Sequence, residues 1–288
     1  MIFLAKILRF CISKLSFFTS LENLTLKKIK SQREYPIFII GLPRSGSTLL
    51  FQLLINNFKL SYFSNLVNVF FRCPVLILKI FKKKHLNNIN DNYQSNYGVI
   101  KGIYSPSESG SIYNFWLKNY NIKNIKKTIS FYIKTFKAPF ICKNLNLSFK
   151  IKLIKKTFPG SKFIYVTRDP KFIFQSIFLK AKSGGEINID GFRRHQILDN
   201  KDYFKYLMSQ IKKSNKKIIS DLNETNSSFM IVDYSDICNN TNKTLDQISK
   251  FLSLKKNRNS IDVKSKIYES KSIRLSNSQW LRLNKFFS

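Results

Sequence analysis

A glycine-bounded loop near the start of the chain has the residue types and the spacing of a phosphate-binding turn. Residues 41 to 48, GLPRSGST, follow an apolar run from Tyr35 to Ile40 and precede a helical pattern from Leu49 to Asn57. Glycine lets the backbone curl so that its N–H groups converge on one anion, and the positive end of the following helix adds to the attraction. We therefore predict that this strand, loop and helix bind a phosphate-like group.

One position of the loop narrows the choice of anion. Ser47 stands where the nucleoside-triphosphate pattern GxxxxGK[ST] has its lysine. That lysine reaches the β- and γ-phosphates, so its absence argues against hydrolysis of ATP or GTP and favours a ligand with a shorter anionic chain. The cation of this loop is instead Arg44, which we predict to stabilise the charge that develops on a leaving oxygen.

A second arginine ends another predicted strand. Lys162 to Thr167 predicts a strand after a turn at residues 158 to 161. Arg168-Asp169-Pro170 then predicts the start of a helix, which carries Ser176. Proline suits the first turn of a helix, and an aspartate suits it electrostatically. Alone, this tripeptide also fits a surface ion pair, with the serine as an ordinary helix residue.

The loop resembles a site of a known enzyme family. The segment from Pro36 to Leu50, PIFIIGLPRSGSTLL, is similar to the 5′-phosphosulfate loop of sulfotransferases that use 3′-phosphoadenosine 5′-phosphosulfate (PAPS). Bacterial and Golgi-type members commonly carry the form GxPRSG[ST]T. At lower specificity the resemblance extends through Phe140 to Leu145 and Val232 to Ile237, and it covers about residues 35 to 255.

The resemblance implies an activity and a set of ligands. A sulfotransferase of this kind moves the sulfuryl group of PAPS, its cosubstrate, to a hydroxyl or amine, and needs no metal. The family binds the phosphosulfate through the loop, and the 3′-phosphate through an arginine at a strand end and a serine on the next helix. The implied cofactor-binding residues are Arg44, Ser45, Gly46, Ser47, Thr48, Arg168 and Ser176, and Arg44 is also implied to be catalytic.

Such a reaction needs a base beside the attacking atom, and no clear sequence motif identifies it. The family uses histidine or glutamate, often soon after the loop helix, but residues 48 to 90 contain no acidic residue and a single histidine, His85. The next candidate is Glu108, in SPSESG before an aromatic run, which resembles the Pro-x-Glu segment of many bacterial members. Flanking aromatics would desolvate this carboxyl and raise its pKa toward that of a working base.

Several assignments in and around the site stay open. Glu108 is either the catalytic base or a glutamate that caps a loop or helix. Lys101 and Lys143 are secondary candidates for contacting the nucleotide or the transferred group, and His195 is predicted to be structural. The following aromatic residues either line an acceptor cleft or belong to the core: Tyr62, Phe63, Phe70, Phe71, Tyr113, Phe115 and Trp116. The acceptor itself, whether a carbohydrate, a lipid-linked glycan or a small molecule, is not encoded in these motifs.

The elements that position these residues predict an α/β fold. Four short β-rich runs are separated mostly by long helical or loop-like stretches, which is typical of parallel strands joined by crossovers. We predict a P-loop NTPase-like three-layer fold, with a central parallel sheet flanked by helices. The runs are Tyr35 to Ile40, Pro139 to Cys142, Lys162 to Thr167 and Phe229 to Val232. Between them, we read 66 to 81 as helices near a substrate cleft, and 85 to 96 as a loop.

The first 34 residues form a predicted basic extension to a sulfotransferase domain at 35 to 288. In residues 1 to 18 the apolar residues recur at helical spacing, but Lys6, Arg9 and Lys14 interrupt them, so no uncharged span of about 20 residues exists to cross a bilayer. The pattern predicts an amphipathic helix. Such a helix either associates peripherally with an anionic membrane or packs on its own domain.

Two further hypotheses remain, and one of them is based on the charge of the chain. Fifty Lys+Arg against sixteen Asp+Glu give a formal charge of +34. We interpret most of this excess as a solvated surface in an AT-biased composition and expect no specific nucleic acid partner. The alternatives are a P-loop nucleotide or small-molecule kinase, with Asp233 as its metal-binding aspartate, and a basic protein that binds nucleic acid or a membrane surface through a vestigial loop.

The cysteines bear on compartment and metal content. Cys11, Cys73, Cys142 and Cys238 are far apart in sequence, with no CxxC pair and no histidine cluster beside them. This pattern predicts neither a zinc site nor a disulfide framework. We therefore expect a cytoplasmic protein, either free or peripheral on the inner face of the membrane. The motifs specify no oligomeric state.

Overall fold

The computed structural model describes residues 16–31, 35–86, 95–96, 99–119, 121–183, 200–255 and 267–288. The strands are β1 (Ile37–Gly41), β2 (Ser95–Asn96), β3 (Val99–Ile100), β4 (Ile141–Lys143), β5 (Lys162–Thr167) and β6 (Ser228–Asp233). Four of them form a parallel sheet in the order β4-β1-β5-β6, while β2 and β3 form a separate antiparallel pair. The predicted α/β class with a central parallel sheet is confirmed.

Along the chain, helices precede, connect and follow the strands of the sheet. They are α1 (Ser16–Lys27), α2 (Ser47–Asn57), α3 (Asn65–Val69), α4 (Pro74–Leu86), α5 (Gly110–Asn119), α6 (Ile122–Phe136), α7 (Ile151–Thr157), α8 (Pro170–Lys182), α9 (Asn200–Glu224), α10 (Tyr234–Asn239), α11 (Thr241–Leu252) and α12 (Asn277–Phe287). A 3₁₀ helix, Leu145–Phe149, follows β4. Within the described residues, no helix combines the length and the apolar character needed to cross a membrane.

The core has two parts, one on each face of the sheet. Every residue of β1 is buried, as expected for a central parallel strand that is covered on both faces. Because side chains alternate along a strand, Phe38 and Ile40 join one apolar cluster while Ile37 and Ile39 join the other. Gly41 pairs with Val166 of β5, so the carboxyl ends of the neighbouring strands lie at one edge of the sheet.

The four predicted strands are present in the structure, but the predictions for the segments between them need correction. The stretch from 66 to 81 is helical, as predicted, but it divides into α3 and α4, the second beginning at Pro74, where proline is tolerated. The loop predicted for 85 to 96 is wrong at both ends, because α4 continues to Leu86 and residues 95 and 96 form β2. The residues between these elements lie outside the described part of the chain.

Most of the aromatic residues suggested for an acceptor cleft belong to the core. Tyr62, Phe63 and Tyr113 are buried in it. Phe70, Phe71 and Trp116 are partly buried and pack against the same core. These rings make edge-to-face contacts, such as the 5.6 Å separation between the centroids of Phe63 and Trp116. Their main contribution is therefore to the stability of the core.

Helix α1 is attached to the domain by polar contacts. The predicted amphipathic helix at 1 to 18 lies mostly outside the described residues, and the described helix extends further, to Lys27. The buried carboxylate of Glu22 accepts hydrogen bonds from the N–H groups of Val75, at 2.9 Å, and Leu76, at 3.1 Å. These groups belong to the first turn of α4 and lack partners within that helix. Glu22 thus caps α4 from a neighbouring helix.

This cap predicts a pH-dependent difference in stability between the wild type and Glu22→Gln. Burial raises the pKa of Glu22 from an ordinary 4.5 to about 7, opposed by the two N–H donors and by Lys79. Because the pKa of Glu22 is raised in the folded state, protonation of this carboxyl increases the free energy of unfolding. This contribution is complete below pH 4.5 and is lost as the pH rises to about 7. Relative to the variant, the wild type should lose on the order of 3 kcal/mol of unfolding free energy across this range. Thermal unfolding of both proteins at matched pH values measures it, and parallel profiles would contradict it.

Candidate functional site

The glycine-bounded loop lies at the carboxyl edge of the sheet, between β1 and α2. Gly46 precedes α2 with φ 92°, and a Cβ at this position would lie 2.3 Å from the ring of Tyr234. Glycine is therefore required both by the left-handed backbone and by the close approach of the tyrosine. The side chains of Ser45 and Ser47 are buried. Their contribution to an anion would accordingly come from backbone N–H groups at the start of the helix.

A buried serine holds the first residue of the loop. The hydroxyl of Ser148, in the 3₁₀ helix after β4, accepts from the N–H of Gly41 and donates to its carbonyl, both at 3.0 Å. The strand end is thus fixed by a side chain about a hundred residues away in sequence. Ser148 could not be identified from the sequence, because a single serine after a strand belongs to no recognisable motif.

Arg44 connects the loop to the helix of the second predicted anchor. Its backbone has φ 69°, in the left-handed region that few non-glycine residues adopt. Its Nε donates to the Oγ of Ser176 on α8 at 2.9 Å. The two segments that the sequence assigned to opposite ends of one ligand therefore lie against each other.

Arg168 completes this contact from the end of β5. Its Nη1 donates to the carbonyl of Arg44 at 3.0 Å and its Nη2 to the carbonyl of Ser270 at 2.7 Å. Its guanidinium lies 4.5 Å from the centroid of the Tyr234 ring. Burial lowers the pKa of Arg168 from its ordinary value, and the nearby charge of Arg44 acts in the same direction. A guanidinium nevertheless stays protonated in proteins, so two positive charges lie side by side here.

The helix after Arg168 begins as the sequence predicts. Asp169 caps α8, its carboxylate accepting from the N–H of Lys171 at 2.9 Å, and Pro170 occupies the first turn. The cap and the proline together fix where the strand stops. They place Ser176 on the second turn of α8, within reach of Arg44.

A lysine on the neighbouring strand reaches the same loop. Lys143 ends β4, pairs in register with Ile39 of β1 and is only 1% exposed. Its Nζ donates to the Oγ1 of Thr48 at 2.9 Å and forms an ion pair with the carboxylate of Glu108. The side chain of Glu108 keeps about a third of its surface exposed. A buried cation, a hydroxyl and an accessible carboxylate thus meet at the first turn of α2.

This arrangement helps to distinguish the two hypotheses for Glu108, a catalytic base or a capping glutamate. The carboxylate pairs with Lys143 rather than with the backbone of α5, which begins at Gly110. The carbonyl of Glu108 accepts from the Nδ2 of Asn144 at 2.8 Å, which fixes the loop on which it lies. The geometry therefore favours a place in the site over a capping role.

The remaining candidates are placed elsewhere. Lys101 is exposed, and the side chain of His85 and the whole of His195 lie outside the described residues. Asp233, the metal-binding residue of the kinase hypothesis, caps α10 through the N–H of Ser235 and accepts from Thr167 at 3.1 Å. Across the described ranges no group of three or more histidine, cysteine or acidic side chains is arranged to hold a metal ion.

A segment near the C-terminus crosses α8 beside Arg168. The buried Gln175 donates to the carbonyl of Ser272 at 2.9 Å and accepts from the N–H of Arg274 at 2.7 Å. Ser270, which accepts from Arg168, belongs to the same segment. No residue signature marks these contacts, because they are made by backbone groups that every sequence carries.

Comparison with known proteins gives a family and a fold. The model of the sulfotransferase family matches residues 36–258. No curated protein sequence matches the chain. Sulfotransferase STF9 from Mycobacterium avium aligns with a TM-score of 0.54 and 15% identity, over 89% of this chain and 68% of its own. Sulfotransferase STF1 from Mycobacterium tuberculosis H37Rv aligns with a TM-score of 0.53 and 14% identity, over 83% of this chain and 73% of its own. At such identities the structural similarity supports the fold alone.

Proposed function

The chain belongs to the sulfotransferase family, and from this premise we propose that it transfers the sulfuryl group of PAPS to a hydroxyl or amine of an acceptor. The observation that carries the proposal is the contact between the two predicted anion sites. Arg44 of the loop donates to Ser176, and Arg168 donates to the carbonyl of Arg44. The two sites are therefore adjacent, as binding of one ligand by both requires.

The residues of the loop fit the phosphosulfate end of such a ligand. Backbone N–H groups at the start of α2 and the guanidinium of Arg44 would hold its oxygens. Arg168 and Ser176 would hold the 3′-phosphate. PAPS supplies the sulfuryl group and leaves as adenosine 3′,5′-bisphosphate. The positive charge of Arg44 would stabilise the bridging oxygen, which gains negative charge as its bond to sulfur breaks.

Glu108 and Lys143 fit the acceptor side of the reaction. As the acceptor oxygen or nitrogen bonds to sulfur, it must release a proton, and the partly exposed carboxylate of Glu108 would take it. The buried ammonium of Lys143 orients that carboxylate and contacts Thr48 of the loop. The base and the loop are thereby held at a fixed spacing, which lowers the entropic cost of bringing the reactants together.

The direct test is calorimetric binding followed by transfer assays. The protein should bind adenosine 3′,5′-bisphosphate and show no comparable affinity for ATP with Mg²⁺. Incubation with labelled PAPS and a panel of hydroxyl and amine acceptors should then yield a labelled product. Tight binding of ATP with none of the bisphosphate would overturn the proposal in favour of a phosphotransferase.

Replacing Arg168 by alanine should weaken binding of the bisphosphate by about 10- to 150-fold, the range for losing a hydrogen bond to a charged group. Adenosine 5′-phosphate, which lacks the 3′-phosphate, should bind the variant and the wild type alike. Arg282→Ala is a matched control, because Arg282 also stacks on an aromatic ring, 5.1 Å from the centroid of Phe204, but lies on α12. Unchanged affinity for the bisphosphate in Arg168→Ala would remove the predicted 3′-phosphate anchor.

A further inference from the structure

Helix α1 presents a partly apolar face to the solvent. Glu22 and Leu26 are its buried residues, and they mark the side that packs on the domain. Phe17 and Leu24 are 64% and 57% exposed. At 100° per residue they lie within about 20° of each other on the helix and opposite the buried side. A phenylalanine and a leucine are thus held in solvent on a helix that is itself fixed to the domain.

The charges around this face have one sign. The only acidic residue of α1, Glu22, is buried against α4, so the outward positions of α1 carry no negative charge. Lys27 and Lys28 are exposed at its C-terminal end, and Lys30 follows. The preceding residues 1 to 15 contribute Lys6, Arg9 and Lys14 to the sequence and no acidic residue.

Helix α4, which holds α1, exposes further positive charge. Its first turn contacts α1, because the N–H of Val75 donates to Glu22, and Arg72, just before the helix, donates to Thr19. Further along the chain, α4 exposes Ile80, at 62%, and the consecutive lysines 82 to 84. The helix to which α1 is tied thus also carries an exposed apolar side chain and three exposed positive charges.

We propose that this face of α1, defined by Phe17, Leu24, Lys27 and Lys28, docks on an anionic lipid bilayer. Amphipathic helices bind in the plane of an interface by burying aromatic and leucine side chains beneath the headgroups while lysines contact anionic lipids. Charge complementarity selects the bilayer as occupant, because an anionic leaflet attracts each nearby lysine and raises affinity about fivefold for each. Because Glu22 ties α1 to α4, docking would bring the whole domain to the surface.

The test is sedimentation of the full chain with vesicles. Vesicles of phosphatidylcholine with about one third phosphatidylserine should bind the protein, and vesicles of phosphatidylcholine alone should not. Binding should weaken steeply as salt rises from 50 to about 300 mM, as it does for exposed charges. The double variant Phe17→Ser with Leu24→Ser should bind the anionic vesicles at least tenfold more weakly. Leu281→Ser, which changes a leucine that is 66% exposed on α12, is the control and should bind as the wild type does.

A second pair of variants tests the charges separately. Lys27→Gln with Lys28→Gln should weaken binding by about 25-fold, whereas Lys212→Gln with Lys213→Gln, a pair exposed on α9, should have no effect. All variants should keep the affinity of the wild type for the bisphosphate, which separates this proposal from the proposed activity. Wild-type affinity in the Phe17 and Leu24 double variant would overturn the proposal, because binding would then come from other residues. So would equal binding to both kinds of vesicle, or concentration-dependent self-association of the wild type that the double variant abolishes.

Discussion

Glutamine in place of Glu108 should slow sulfuryl transfer by about 10²- to 10⁴-fold, the contribution of a positioned base, and leave affinity for adenosine 3′,5′-bisphosphate unchanged. The amide keeps the shape of the side chain and can still accept from the Nζ of Lys143, but it cannot take the proton that the acceptor loses. The measurement is a steady-state assay with labelled PAPS, combined with calorimetry on the same preparations.

Glu224→Gln is the matched control for this variant. Glu224 also pairs with a lysine, since its carboxylate lies 2.7 Å from the Nζ of Lys152, but the pair is on the surface. Exposed ion pairs of this kind contribute little to stability, so the control should retain activity and stability. Full activity in Glu108→Gln would show that Glu108 is not the base. A parallel loss of bisphosphate affinity would instead indicate that the variant disturbs the loop through Lys143.

The parts of the site that are contiguous in sequence could be predicted. The apolar run before the loop, the two glycines that bound it and the helical pattern after it are local signals, and the strand, loop and helix of the structure begin within two residues of the predicted positions. The same holds for Arg168, Asp169 and Pro170, where proline and aspartate mark the start of a helix. Local backbone preferences are sufficient for these elements because no distant residue overrides them.

The contacts that join these segments could not be predicted. Lys143 meets Thr48 only because β4 is the neighbour of β1 in the sheet, and strand order is set by packing of the whole chain. In a chain with fifty lysines and arginines, nothing in the sequence distinguishes this lysine as buried. The hydroxyl of Ser148 and the carbonyl of Ser270 carry even less signal, since their roles depend on where the backbone passes.

The C-terminal extent of α1 and its attachment to the domain also could not be predicted from the sequence. The periodicity of residues 1 to 18 predicts an amphipathic helix, yet the described helix is longer at its C-terminal side and is fixed by a buried glutamate. Glutamate is rarely buried without a partner, so a sequence pattern counts it as exposed. Only the first turn of α4, which offers two N–H groups, accounts for its position.

Arg44→Ala should lower the rate of transfer by about 10²- to 10³-fold, the usual effect of removing one group that stabilises transition-state charge, and should lower affinity for the bisphosphate much less. The bridging oxygen gains its charge only as the sulfuryl group departs, so the guanidinium acts mainly on the transition state. The measurement compares kcat with the calorimetric Kd in the same variant.

The backbone of Arg44 requires a second variant as a control. At φ 69° the wild-type arginine and an alanine are both strained by roughly 1 kcal/mol or more relative to glycine, so Arg44→Gly removes the side chain and this strain together. If charge is what matters, the glycine and alanine variants should be equally slow. Arg44→Lys should recover part of the rate, because it restores the charge but not the planar Nε–H group that reaches Ser176. Near-normal activity in Arg44→Gly would contradict a catalytic role and leave the residue as a backbone hinge between the loop and α8.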